Sequence, residues 1–354
     1  MRHLLIRADA SNRMGSGHLM RCLALSHAWK AQGGGVTFLS HCESSALRDR
    51  VEDSGYRFVS LARPHPDQAD LEATLLVLSE LGAGSADQTG IWVVLDGYHF
   101  EPVYQQAVRT AGYRLLVIDD MAHLPYYHAN MLLNQNIHAE ELTYHCDSDT
   151  VLLLGLQYAL LQPAFLAWHG WQRDIPAVAH KVLITMGGGD ADNVTLKVIQ
   201  ALAQVEVGGL EAVVVVGAIN PHYRQLQGAV ERSQWPVRLE RDVPNMAELM
   251  AWADVAVSAG GTTCWELAFM SLPHVVTVLA ENQVQVAEAL HNRGIAINMG
   301  RFTTLNEADL AQVMSNLMLD EQQRREMSCR GRQAVDGLGA ERVTGIMAAQ
   351  FGSL

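Results

Sequence analysis

The strongest constraint on the fold is an alternation. Short, continuously apolar runs recur along the chain, separated by helix-length segments. In the first half the runs fall at 3–8, 36–40, 56–61, 91–96, 114–119, 131–134 and 151–155. In the second half they fall at 181–186, 212–217, 237–241, 255–258, 275–279 and 296–299. Such runs fit strands buried on both faces of a parallel sheet. Helices fit 18–32, ended by the glycines at 33–35, and then 193–204, 246–253, 263–270 and 283–293. The stretch 162–179, with Pro163, Phe165, Trp168, Trp171 and Pro176, reads as a helix followed by a linker, and the charged stretch 320–332 reads as a helix. Two such halves in 354 residues predict two Rossmann-like, doubly wound α/β domains, 1–165 and 178–354, facing across a cleft. The C-terminal helix is free to cross back to the first domain.

Composition narrows the partners. Asp plus Glu number 38 against 25 Lys plus Arg, a net charge of −13. That argues against a nucleic-acid partner, yet leaves room for a small phosphorylated ligand held by a few local donors. The N-terminal stretch has no signal-peptide pattern and no window is apolar enough to span a membrane, so no membrane insertion and a cytoplasmic location are expected. Five widely spaced cysteines without a CxxC pair point away from a disulfide framework or a zinc site.

In doubly wound folds ligands bind beyond the carboxyl ends of strands. Four groups of residues lie there. The first holds Arg7, Asp9 and Ser11, then Gly15, Gly17 and His18, then Arg21. Its glycines permit a tight turn into a helix, giving an anion or sugar pocket. The third glycine of a dinucleotide fingerprint is replaced by Met20, and no Gly-Lys-Ser/Thr follows. An imidazole at that helix mouth is suited to act as a general base near neutral pH; His18 can equally be a simple cap.

The second group is Gly187, Gly188, Gly189, Asp190 and Asn193. Its aspartates, Asp190 and Asp192, fit capping better than metal binding. The third is Gly260, Gly261, Thr262, Thr263 and Glu266. A carboxylate one turn into that helix can accept both hydroxyls of a ribose while glycine N–H groups take phosphate oxygens; a purely structural cap fits as well. The fourth comprises Asp96, Tyr98, Asp119, Asp120, Asn134 and Asn136, with Glu281, Asn282 and Gln283 in the second half and Tyr158 and Gln162 by the linker. These can bind sugar hydroxyls or amides, or serve as turn residues.

Two resemblances rest on these motifs. The stretch 242–283 is similar to the peptidoglycan N-acetylglucosaminyltransferase: a Met-Ala helix ending Ala-Trp-Ala-Asp254, a strand, a glycine loop with Thr, Glu266, then a Leu-Pro strand and a Gln-bearing loop. It implies a glycosyltransferase-B architecture binding a UDP-sugar, with Glu266 on the ribose, Thr262 and Thr263 by the pyrophosphate and the backbone of Asn245–Met246 at uracil. The motifs Arg7-Ala-Asp-Ala-Ser11, Met14-Gly-Ser-Gly-His18, Asp96-Gly-Tyr98, Ile118-Asp-Asp120, Leu132-Leu-Asn-Gln-Asn136 and Met186-Gly-Gly-Gly-Asp190 resemble the hydrolase family of pseudaminic acid biosynthesis that cleaves UDP-2,4-diacetamido-2,4,6-trideoxy-β-L-altropyranose. They run in order over most of the chain. The resemblance implies a metal- and cofactor-free hydrolysis in which His18 activates water to attack the anomeric carbon with inversion, releasing UDP. The chain departs from the family at Gln162, usually Arg, and across 190–193.

Overall fold

The computed structural model describes residues 2–11, 14–83, 90–188, 190–218 and 220–352. Two compact units divide the chain: Met1–Gln162 with Leu338–Leu354, and Pro163–Gly337.

Unit 1 carries β1 (His3–Ala8), β2 (Gly35–Ser40), β3 (Arg57–Ser60), β4 (Ile91–Asp96), β5 (Arg114–Ile118), β6 (Met131–Asn134) and β7 (Val151–Leu154). They form one parallel sheet in the order β3-β2-β1-β4-β5-β6-β7. The helices α1 (Gly17–Ala31), α2 (Ser45–Asp53), α3 (Gln68–Gly82) and α4 (Pro102–Thr110) fall between the first five strands. Alternation along β1 sorts the core. Leu4, Ile6 and Ala8 pack with Leu19, Leu23 and Trp29 of α1. Leu5 points the other way, to Val77 and Leu78 of α3 and Val108 of α4. Both faces are thus covered, which is why Leu4, Leu5 and Ile6 of β1 and 91–95 of β4 form continuous apolar runs.

Unit 2 carries β8 (Lys181–Thr185), β9 (Glu211–Val216), β10 (Val237–Arg241), β11 (Val255–Ala259), β12 (His274–Val278) and β13 (Ala296–Arg301) in the parallel order β10-β9-β8-β11-β12-β13. Its helices are α5 (Pro163–Leu166), α6 (Val194–Leu202), α7 (Tyr223–Glu231), α8 (Met246–Trp252), α9 (Thr263–Phe269), α10 (Val284–Asn292), α11 (Glu307–Leu319) and α12 (Glu321–Ala334). The last helix, α13 (Gly339–Ala349), belongs to unit 1, where Val343 and Met347 join the core beside α1.

The helix expected at the start of 162–179 is only the single turn α5. The segment between α5 and β8 is held by Arg173, whose buried guanidinium donates to the carbonyls of Met250, Ala253 and Met270. Burial pushes this guanidinium down to about 10, against an opposing pull from Asp254. The outermost strand β3, Arg57–Ser60, is shorter than the apolar run at 56–61.

Strand order fixes where a site belongs. In unit 1 the order turns between β1 and β4; in unit 2 it turns between β8 and β11. Ligands of doubly wound sheets bind beyond the strand ends at these switch points.

Candidate functional site

In unit 1, β1 and β4 lie side by side with Ala8 opposite Asp96. The chain leaves β1 through a turn in which Gly15 N–H donates to the Ser11 carbonyl (2.8 Å) and Met14 N–H to Ser11 Oγ (3.1 Å). Gly15 adopts φ +80°, a conformation that suits glycine, and Gly17 opens α1. His18 is the second residue of that helix, which puts its ring against the end of β4.

His18 Nδ1 lies 2.6 Å from Asp96 Oδ1. Asp96 is wholly buried and accepts Arg21 Nε at 2.7 Å and Nη2 at 2.6 Å. Burial alone would raise the Asp96 carboxyl, but Arg21 and then His18 outweigh it and hold it well below the usual carboxylate range. An ionised carboxylate only accepts, so Nδ1 carries the proton shared with Asp96, and in the neutral ring the lone pair lies on Nε2. Among the described residues no group hydrogen-bonds Nε2, and the side chain keeps 10% of its surface exposed.

Arg21 spans two carboxylates. Its Nη1 reaches both oxygens of Asp120 at 2.9 Å, and Asp120 also accepts Tyr98 Oη (2.9 Å) and Asn136 Nδ2 (2.9 Å). The Tyr98 ring meets His18 edge-on at 5.2 Å. Gln162 donates its amide to the Met20 carbonyl of α1. Asp96, Asp120, Asn136, Tyr98 and Arg21, read from the sequence as able to contact a sugar, are thus joined in one network around His18. Asp96 in particular is behind the ring, with both oxygens engaged.

Arg7 and Asp9 also take a different place from the expected ligand pocket. Arg7 is fully buried and forks onto two carboxylates: Asp9 at 2.5 and 3.0 Å and Asp70 at 2.8 Å through both Nε and Nη2. Asp9 further accepts the N–H groups of His41 (2.8 Å) and His65 (3.0 Å). The pair clamps the loops after β2 and β3. Tyr158 sits in a 3₁₀ turn, Leu156–Tyr158, packed on the core that α13 completes. Sequence reasoning did not single out His65, Asp70 or His99, though His65 and His99 lie just past strand ends as the other candidates do. Asp70 lies inside α3, and only tertiary contact with Arg7 reveals it.

In unit 2 the loop after β11 contains Gly260, Gly261, Thr262 and Thr263. Gly260 N–H donates to the Thr277 carbonyl, whereas the N–H groups of Gly261 and Thr262 have no protein partner among the described residues. Thr262 makes no side-chain cap. Gln283 covers this loop: its Cβ would lie 3.1 Å from a Cβ on Gly260, so glycine permits the approach. Gln283 Oε1 accepts Leu279 N–H (2.9 Å), and Asn282 shares its 3₁₀ turn. The Glu266 carboxylate, in the first turn of α9, has no hydrogen-bond partner among the described residues, and burial pushes it up to about 7. The site thus holds a carboxylate with unused acceptors beside unused N–H donors.

The turn after β8 is capped as its sequence suggested. Asp190 Oδ1 accepts Val194 N–H (2.8 Å) and Oδ2 accepts Thr195 N–H (3.0 Å), so a carboxylate fills the start of α6. Asn193 precedes this helix at φ +54° and donates to Gln225 Oε1 (2.9 Å). Gly188 backs onto Gly217, whose Cβ would come 2.2 Å from the Gly188 carbonyl oxygen; Gly189 lies outside the described residues. Asn245 precedes α8 and donates to Glu248 Oε1 (2.8 Å), with Met246 opening the helix.

Comparison with known proteins agrees with this layout. Residues 181–339 match the glycosyltransferase family 28 C-terminal domain. The crystal structure of MurG from Acinetobacter baumannii superposes with a TM-score of 0.68 at 16% identity, over 99% of this chain and 100% of that one. The fold is glycosyltransferase-B. Among sequence relatives, the spore coat polysaccharide biosynthesis protein SpsG of Bacillus subtilis is 24% identical over 98% of this chain and 97% of its own. The UDP-2,4-diacetamido-2,4,6-trideoxy-β-L-altropyranose hydrolase of Campylobacter jejuni is 21% identical over 83% of this chain and 98% of its own. In this glycosyltransferase-B chain the matched domain begins at β8 and contains the loop 260–263, Glu266 and Gln283. Among the described residues no helix is long and apolar enough to cross a membrane, and no group of three or more His, Cys, Asp or Glu side chains could hold a metal ion.

Proposed function

We propose that this chain is a nucleotide-sugar hydrolase that splits a UDP-linked 2,4-diacetamido-2,4,6-trideoxy hexose into free sugar and UDP. The observation that carries the reading is His18: Nδ1 fixed at 2.6 Å by a buried carboxylate, Nε2 left free. A ring so held is a positioned general base. His18 Nε2 takes a proton from water, the water oxygen bonds to the anomeric carbon, and the bond from that carbon to the β-phosphate oxygen breaks with its electrons going to UDP. Unit 2 supplies the nucleotide contacts. Glu266 accepts ribose hydroxyls, and the N–H groups of Gly261 and Thr262 take phosphate oxygens, stabilising the charge that builds on the leaving group. The name of the Campylobacter relative supports the choice of sugar and of hydrolysis.

The test is UDP release from UDP-sugars with no acceptor present. His18→Asn is expected to lose at least about 10²-fold in turnover while UDP affinity stays unchanged. In ¹⁸O-water the label belongs in the sugar; label in UDP would mean attack at phosphorus and would sink the mechanism.

A second reading is glycosyl transfer to an acceptor, favoured by the family 28 domain match and the likeness to MurG. There His18 would deprotonate an acceptor hydroxyl instead of water. UDP release only on adding an acceptor would select it.

A further inference from the structure

A second imidazole pair in unit 1 has no part in the proton transfer from water to His18. His65 lies in the loop between β3 and α3, and its Nδ1 is 2.7 Å from Asp70 Oδ2. Burial would raise the Asp70 carboxyl, but His65 and then Arg7 bring it down to about 2, so it is ionised and accepts the Nδ1 proton. The His65 ring is stacked on Phe100 at 4.8 Å and meets Tyr104 edge-on at 5.2 Å. This packing fixes its plane, and in the neutral ring the Nδ1 bond to Asp70 makes Nε2 the acceptor.

His99 also stacks on His65, at 5.9 Å with the rings 23° apart. It belongs to the same post-β4 loop as Tyr98, which touches His18. His99 lies close enough to His65, Asp9, His18 and Arg7 to feel their charges. Among the described residues its ring has no hydrogen-bond partner. Three imidazoles therefore gather where β1, β3 and β4 end. The His65 ring is explained in part by the Arg7–Asp70 clamp. The His99 ring, polar and half-buried, packs on His65 and Phe100 with its ring nitrogens unused among the described residues.

We propose that His65 and His99 form the wall that recognises the acetamido and hydroxyl substituents of the sugar beside His18. This deepens the hydrolase reading and rests on it. An acetamido group offers one N–H donor and one carbonyl acceptor. His65 Nε2, an acceptor by virtue of Asp70, takes the N–H; a neutral His99 donates its N–H to the carbonyl or to a hydroxyl oxygen. Sites that hydrogen-bond a substrate group discriminate strongly against analogues lacking it, because their own polar atoms are then left unpaired.

The experiment compares wild type, His99→Ala, His65→Asn and the double variant. Asparagine can keep a donor toward Asp70 while removing Nε2. Steady-state kinetics use the UDP-diacetamido-trideoxy hexose and UDP-N-acetylglucosamine, which carries one acetamido group. UDP affinity is measured separately. Each single variant should raise KM for the diacetamido substrate about 5- to 10-fold, with UDP affinity within about twofold. The double variant should also narrow the kcat/KM ratio between the two sugars. Unchanged KM and an unchanged ratio in the double variant would overturn the proposal. If His65→Asn folds poorly, His99→Ala decides alone, since among the described residues its ring makes no hydrogen bond that the fold would lose. If wild type turns over neither sugar, the hydrolase reading fails first. Direct binding of the same two UDP-sugars then judges the wall: a preference for the diacetamido sugar that is lost in the double variant supports it, and no preference or an unaltered one overturns it.

Discussion

Replacing Glu266 by Gln separates what this carboxylate costs from what it does. Its carboxylate has no hydrogen-bond partner among the described residues, and burial takes that carboxyl from the ordinary 4.5 up to about 7. A difference of that size is worth about 3 kcal/mol. Below pH 4.5 the group is protonated in both folded and unfolded chains and costs nothing. As pH rises, the unfolded chain ionises first, so the folded state loses stability at up to about 1.4 kcal/mol per pH unit until pH 7, then no further. Glutamine escapes this loss. In nucleotide-free urea unfolding, Glu266→Gln should exceed wild type by about 3 kcal/mol at pH 8.5 and by less than about 1 kcal/mol at pH 5. The same variant should bind UDP at least about tenfold more weakly, because one ribose hydroxyl loses a charged acceptor. A stability difference that stays flat between pH 5 and 8.5, or a variant less stable than wild type at pH 8.5, would refute the argument.

Asp96→Asn should lower kcat by about 10²–10⁴ by releasing the His18 ring, with UDP affinity intact, and should cost about 3 kcal/mol of stability because Arg21 stays buried with one carboxylate fewer; a kcat within threefold of wild type would remove Asp96 from the mechanism. Arg173→Met leaves the carbonyls of Met250, Ala253 and Met270 without their buried donor and should destabilise the protein by about 2–4 kcal/mol, read from thermal unfolding. Gly339→Ala places a Cβ about 2.3 Å from the Ala159 carbonyl oxygen, so α13 must shift. Faster hydrogen exchange across 339–349 reports it, and an unchanged exchange pattern would show that the close approach is relieved elsewhere.

The thirteen apolar runs correspond to the thirteen strands of the described residues, with edges moved by one or two positions. A strand covered on both faces is apolar at most positions, so the signal is local and survives in the sequence. Edge strands such as β3, with one paired side, blur it. The glycine loops were also legible, since a tight turn after a strand demands them; so was His18 at the helix mouth. What those neighbours do was not. Asp190 is the exception: it reads as a capping residue, and its carboxylate accepts the first N–H groups of α6. Arg7 and Asp9 read as ligand contacts, yet they satisfy each other and Asp70.

By itself, then, the sequence determined two parallel α/β layers, the strand ends where chemistry belongs and the identity of one candidate base. Tertiary structure decided the roles. His18 and Asp96 are 78 residues apart and meet because β1 and β4 are neighbours; Arg7 and Asp70 are 63 apart and meet because α3 lies against β1. Burial along a strand is set by its own residues, whereas the partner of a charge is set by strand order. That order is a property of the whole sheet, and no local pattern carries it.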